Sequence, residues 1–197
     1  MKPIWMLFAL MLLPAPSEAL AADMRLNLNI PEVNIESLQG NNHTVALWVE
    51  DGRQENILGK NLQGDNVVLS SDIAADVTAS FSSAFRSSGF QLEPYRADAP
   101  VAMLIRIQSL TFTAEKNMIT NSARLSCKLV ATLSRNGTMV KERTIGTSGE
   151  YTLTLWASKE KISELVSETL GDTVSALLKD ADTVTFLKET PQGAQAQ

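Results

Sequence analysis

The chain has 197 residues and a formal net charge of −5, with 17 Lys and Arg against 22 Asp and Glu. That balance offers no attraction to nucleic acid or to anionic lipid headgroups. One histidine (His43) and one cysteine (Cys127) exclude an internal disulfide and a four-ligand zinc site, and leave almost no room for a histidine-based nucleophile pair.

The N-terminal stretch has the layout of an export signal: Lys2, the unbroken apolar run Ile4–Leu13, then small residues at Ala19 and Ala21. The run is too short for an ordinary membrane-spanning helix, which needs ~20 apolar residues. Residues 1–21 are therefore expected to be a cleaved signal peptide, residues 22–190 one domain of common size, and residues 191–197 a disordered tail. An uncleaved signal acting as an anchor is the alternative. No later stretch matches that run, so the mature chain is expected to be soluble.

Residues 25–30 alternate with period two before Pro31, which predicts a short half-exposed strand. Val45–Val49 is continuously apolar, as in a strand covered on both faces or central in its sheet. It stops at the turn-forming Glu50-Asp51-Gly52-Arg53. Residues 53–66, rich in Gly, Asn and Gln, read as a long polar loop. Ser70 or Ser71 then caps a helix whose buried stripe is Ile73, Val77, Phe81 and Phe85, with Asp72 in its first turn. Gly89 suits the left-handed position that closes this helix, and Phe90 folds back over its last turn. Residues 90–93 form a short extended piece ended by Pro94.

A sheet follows. In residues 101–113 the apolar positions change from odd to even, which predicts a β-bulge near Gln108-Ser109. Residues 123–133 keep one phase, with Ala123, Leu125, Cys127, Leu129, Ala131 and Leu133 inward. Cys127 reads first as a small buried hydrophobe, with a reactive thiol as the alternative. Asn136-Gly137 predicts a type I′ hairpin. The returning strand, residues 139–147, reads as an exposed edge protected by Lys141, Glu142 and Arg143. Residues 151–156 extend toward the last helix, where Trp156 is either core or part of a partner surface. That helix spans 158–178. Ser158 caps it, and Ile162, Leu165, Val166, Leu170, Val174, Leu177 and Leu178 form its apolar stripe. Residues 180–188 add a helical turn. The fold class expected is α+β: a mainly antiparallel sheet with two amphipathic helices packed on one face.

No nucleophile elbow, phosphate-binding loop or EF-hand loop is present, so no catalytic residue, metal site or cofactor is assigned. Asp180 and Asp182 read as a solvated helix end. Glu50 and Asp51 sit at a strand end, where Asp51 either hydrogen-bonds its own backbone in a turn or joins Glu50 as a general acid or a ligand to a hard cation. Asp51 and Arg53 are the binding candidates: two residues apart, they either pair with each other or leave the guanidinium to fork onto a carboxylate or phosphate.

These pieces together resemble the YajG-type family of bacterial envelope lipoproteins. The resemblance rests on V-A-L-W-V-E-D-G-R at Val45–Arg53, the serine-led helix closed by Ser88-Gly89-Phe90, the strand from Val101, the Asn-Gly hairpin, and Ala157-Ser158 before Ile162. It covers roughly residues 25 to 190 and implies an exported α+β domain of the Gram-negative envelope, in a family without an established enzymatic activity. Members carry a lipobox cysteine after the signal's apolar core. Here that region reads L-L-P-A-P-S-E-A-L-A-A, so N-terminal lipid anchoring is not expected. The expected function is a non-enzymatic accessory or binding protein, acting through the sheet surface or the 53–66 loop on another envelope protein or a small envelope ligand. The alternatives are a hydrolase or metal-assisted enzyme built on Glu50, Asp51 and Arg53, and a homo-oligomer formed through the 139–147 edge.

Overall fold

The computed structural model describes residues 22–35, 38–116, 120–153 and 157–189. The signal segment, the tail and Trp156 lie outside the described residues. In chain order the elements are β1 (Asp23–Leu26), β2 (Thr44–Asp51), β3 (Ile57–Lys60), β4 (Asn66–Leu69), α1 (Ile73–Ser87), β5 (Gln91–Pro94), β6 (Ala102–Lys116), β7 (Asn121–Arg135), β8 (Thr138–Leu153), α2 (Lys159–Lys179) and α3 (Ala181–Lys188).

The architecture is α+β, but the expectation of a mainly antiparallel sheet needs correction. The sheet is mixed: the pairings β1·β4, β2·β5, β2·β6 and β3·β6 are parallel. Only β3·β4, β6·β7 and β7·β8 are antiparallel. The pairings show why: β2 and β3 run in the same direction beside successive parts of β6, β4 turns back against β3, and the chain then reaches β5, beside the start of β2, through α1. Period-two patterning identifies a strand and its face but not its neighbour's direction.

The meander β6–β7–β8 follows its sequence pattern. Ile107 pairs with Leu129 and Ser109 with Lys128, so Gln108 is the extra residue of a bulge where the apolar phase changes. Asn136 and Gly137 both take positive φ, 46° and 80°, between Arg135 and its partner Thr138, as a type I′ turn requires.

Both long helices lie on one face. The stripe Ile73, Val77, Phe81 and Phe85 of α1 and the stripe Ile162 to Leu178 of α2 join the inward residues of β2, β6 and β7 in one core cluster. Phe81 and Phe85 are fully buried, each worth roughly 1.5–3 kcal/mol of gross driving force. Asp72, not Ser70 or Ser71, caps α1: its Oδ1 accepts from the Ala74 N–H at 2.9 Å. A carboxylate at the N-cap also meets the positive end of the helix dipole, which a serine does not. Gly89, at φ +81°, ends the helix as expected, and the Phe90 ring meets Phe85 edge-on at 5.4 Å.

Two further expectations change. β1 covers 23–26 rather than 25–30, because from Asn27 onward the backbone turns from strand pairing to α2. The Ser163 hydroxyl donates to the Asn27 carbonyl at 2.7 Å, and the Asn29 N–H donates to Ser167 Oγ at 3.0 Å. The expected 53–66 loop contains β3 and the start of β4, an antiparallel hairpin. Asn61 builds its turn, accepting on Oδ1 from the Gln63 and Asp65 N–H groups at 3.0 and 2.9 Å. Short strands flanked by Asn and Gly carry little apolar periodicity, which is why the hairpin reads as loop.

Candidate functional site

β2 delivers Asp51 at its C-terminal end on the inward side of the pleat, in phase with Val45, Leu47 and Val49. Arg53 folds back onto it. Its Nε donates to Asp51 Oδ1 at 2.8 Å, its Nη2 to Oδ2 at 2.7 Å, and its own backbone N–H to Oδ1 at 3.1 Å. This is a bidentate fork combined with an Asx-type turn. Gly52 between them makes room: a Cβ there would come within 2.6 Å of the Arg106 stem. The hydrogen bond from Arg53 holds the Asp51 carboxyl below the usual range, against the opposing effect of its partial burial. The Arg53 side chain is 7% exposed, and its Nη1 is buried without a hydrogen-bond partner.

Glu50 does not join this pair. Alternation sends it to the opposite face, where it binds Arg106 on β6. Two carboxylates adjacent in sequence are thus divided by the sheet, and the three clefts that border residues 27–34 are lined by none of Glu50, Asp51 and Arg53. With both forked nitrogens committed to Asp51, an outside anion would reach the guanidinium only after the pair opened. The arrangement as it stands fixes the strand-to-loop exit. Among the described residues, no three His, Cys, Asp or Glu side chains converge to hold a metal ion.

Cys127 is 2% exposed at an inward position of β7. Burial pushes its thiol up to about 11, against smaller opposing effects of a Thr173 hydrogen bond and the Arg53 charge. The lone cysteine is a small core residue. A polar seam lies close to it: the Thr173 hydroxyl donates to the Thr169 carbonyl at 2.7 Å and contacts the Thr147 hydroxyl on β8.

A second charge cluster was not expected. Asp180 and Asp182, read from sequence as a solvated helix end, are instead held by β8. Arg143 grips Asp180 in a bidentate fork, Nε at 3.0 Å and Nη2 at 2.7 Å, and reaches Asp182 at 3.0 Å. Lys141 binds Asp182 at 2.7 Å. Asp180 also caps α3 through the Thr183 N–H at 3.0 Å. Burial alone would raise the Asp180 carboxyl, but Arg143 and Thr183 outweigh it and hold it low. One strand over, the Arg135 guanidinium donates to the Phe186 carbonyl at 2.6 Å and lies 4.9 Å from the centre of the Phe186 ring. Lys141 and Arg143 therefore do not guard the β8 edge as expected; the pleat turns both toward the C-terminal helix. Basic residues at alternate positions of one strand were the available signal, since they must share a face.

The outcome for β8 is an open edge. Among the described residues it pairs with β7 alone along its 16 residues. Thr144, Gly146, Ser148, Glu150 and Thr152 are exposed, while the alternate positions from Arg143 to Tyr151 are half-buried under α2. On the outer face of the sheet Trp48 is 53% exposed and Val140 equally so.

A mixed sheet with two helices on one face, a small cluster of Ala46, Ala99 and Ala102 under Tyr95 on the other, and an open edge at β8 defines an α+β module. The same fold is found in protein XCC0632 from Xanthomonas campestris: TM-score 0.60 at 11% identity, over 82% of this chain and 95% of that one. A minor lipoprotein from Acinetobacter baumannii superposes with a TM-score of 0.43 at 13% identity, over 68% and 87% of the two chains. Rare lipoprotein B from Shewanella oneidensis gives 0.44 at 10% identity, over 75% and 100%. No curated protein matches the sequence. The chain belongs to a family of uncharacterized lipoproteins, whose model matches residues 31–188. None of its described helices is long and apolar enough to cross a membrane.

Proposed function

We propose that this protein is a non-enzymatic accessory or binding protein of the Gram-negative envelope, of the YajG type, working in the periplasm. Membership in a lipoprotein family over residues 31–188 supports the envelope assignment. The segment after the apolar run contains no cysteine to acylate. The observation that carries the binding role is the β8 edge. A long strand without proline, whose Lys141 and Arg143 serve α3 and leave Glu142 and Glu150 as its exposed charges, is a template for strand addition.

Site-specific photo-crosslinkers at Thr144 and Ser148, in cells carrying the full chain, are expected to capture an envelope partner. Equivalent probes on the solvent face of α2, at Lys161, should not. Probes that label nothing at β8, or label both sites alike, sink the reading. A second reading is favoured by the same edge: β8 pairs with β8 of another copy, making a structural oligomer. Sedimentation of the purified chain would then show concentration-dependent association, lost in Ser148→Pro, because proline removes a ladder donor and clashes with a facing strand. A monomer at hundreds of micromolar, on the order expected for a weak dimer, excludes it.

A further inference from the structure

The outer face of the β8 edge carries its charges in a definite order. Even-numbered residues of β8 point outward, and from Glu142 to Thr152 they read Glu, Thr, Gly, Ser, Glu, Thr. Glu142 stands beside Thr132 of β7 and makes no ion pair among the described residues. Further along, Glu150 stands beside Arg124, which reaches it only at 3.7 Å, with both side chains largely exposed. Midway between them is Gly146. Its neighbour on β7 is Lys128, exposed and likewise without an ion pair among the described residues. With no side chain at Gly146, none stands directly between the Lys128 ammonium and the free edge. Two strand spacings, about 10 Å, separate Lys128 from a strand added there, a gap that a lysine and a glutamate side chain span together. The edge thus presents acid, base and acid at four-residue intervals on one face. Its other face is different: Ile145 and Tyr151 are half-buried hydrophobics packed on the core.

We propose that the partner of this edge is an amphipathic extended segment of another protein, with basic, acidic and basic residues spaced four apart on its outer face. The assignment rests on strand addition at β8, the binding role given above, and names what adds. Unlike charges directly opposite each other across a sheet are favourable and like charges are not. A lysine or arginine would therefore meet Glu142 and Glu150, and a carboxylate would meet Lys128 across Gly146. The order basic, acidic, basic reads the same from either end, so it fits a parallel or an antiparallel strand. Between the charges, on the inner face, the partner's side chains would be apolar or β-branched, to lie beside Ile145 and Tyr151. A second copy of this chain does not supply that pattern. Lys141 and Arg143, the basic residues of β8, point inward and are held by Asp182 and Asp180.

The test is a titration of the full chain with two short synthetic peptides of the same composition, followed by amide chemical shifts at low salt. Both alternate valine with polar residues; one carries its outward charges in the order Lys-Glu-Lys, the other in the order Lys-Lys-Glu. The Lys-Glu-Lys peptide is expected to shift the amides of β8 saturably and to bind roughly tenfold more tightly than its isomer. Glu142→Lys and Glu150→Lys should each weaken it about threefold to tenfold. Glu115→Lys, on the same face but two strands inward, should leave it alone. Combining Lys128→Glu with both reversals should invert the preference, toward a peptide ordered Glu-Lys-Glu. Equal binding of the two isomers, no binding, shifts away from β8, or no inversion would overturn the proposal. The isomers need no variant, so their comparison on the unaltered chain decides even where a substitution weakens the fold. Capture of a partner at Thr144 and Ser148 alongside equal binding of the isomers removes the charge order alone. Neither capture nor peptide binding removes strand addition as well.

Discussion

Two Arg–Asp forks hold this protein, one at the end of β2 and one on β8, and they differ in what they span. Asp51 and Arg53 are neighbours in sequence, so their pairing closes a loop of one residue and costs little chain entropy. Arg143 and Asp180 are separated by 36 intervening residues that include all of α2. The first pair shapes the backbone where it leaves β2. The second ties an entire C-terminal helix to a strand, and Asp180 also caps that helix. The geometry of the fork is nearly the same in both. What it stabilises is set by what lies between the partners.

The contrast can be broken most forcefully at Arg53. Its side chain is the more buried of the two arginines. Arg53→Ala leaves a cavity and a partly buried Asp51 without its counter-charge, so a loss of about 2–4 kcal/mol of global stability is expected in urea unfolding followed by far-UV circular dichroism. Arg53→Met, which keeps the volume, should recover part of it. If both variants unfold at the wild-type midpoint, the 51–53 pair contributes nothing to the fold. A smaller and more local effect is expected at the other fork. Asp180→Ala removes the cap of α3 and the anchor of Arg143, worth about 1–2 kcal/mol. The loss should fall on α3, so the amides of Val184–Lys188 should exchange roughly tenfold faster while the β6–β7 amides keep their protection. Uniform acceleration through the sheet would mean that α3 is not a separate unit.

The same distinction accounts for how much of the molecule was legible in its sequence. The helical stripes through Phe81 and Leu170, the Gln108 bulge, the Asn136-Gly137 turn and the closure at Gly89-Phe90 are written within a few residues each, and the structure matches them. The Asp51–Arg53 pair was legible for that reason, although its alternative as an anion fork rested on the same residues. Parallel pairing was not legible, because β2 meets β6 only after the chain has passed through β3, β4, α1 and β5. Nor was the role of Lys141 and Arg143, whose partners are some 40 positions away. Ser80 could be placed on α1 from its position, but only the three-dimensional packing shows that its hydroxyl lacks a partner.

The finest test of the contrast is the acid limb of stability. Both Asp51 and Asp180 have carboxyls held below their ordinary value of 3.8. A group depressed in the folded state contributes stability that is fully present above its unfolded value and is lost as pH falls through its folded value. Both contributions should therefore be intact at neutral pH and disappear below about pH 4, as protons bind the unfolded chain more readily than the native one. Asp51→Asn cannot bind that proton, so its global unfolding free energy should start lower at pH 7 and fall less steeply as the pH drops below about 4. Asp180→Asn should flatten the same limb chiefly in α3 exchange, because its carboxylate holds the C-terminal helix rather than the sheet. If Asp51→Asn leaves the slope of the global curve unchanged, the local fork does not favour the ionised carboxylate in the native state. The difference between a pair that shapes one strand exit and a pair that fastens a helix would then have to rest on packing alone.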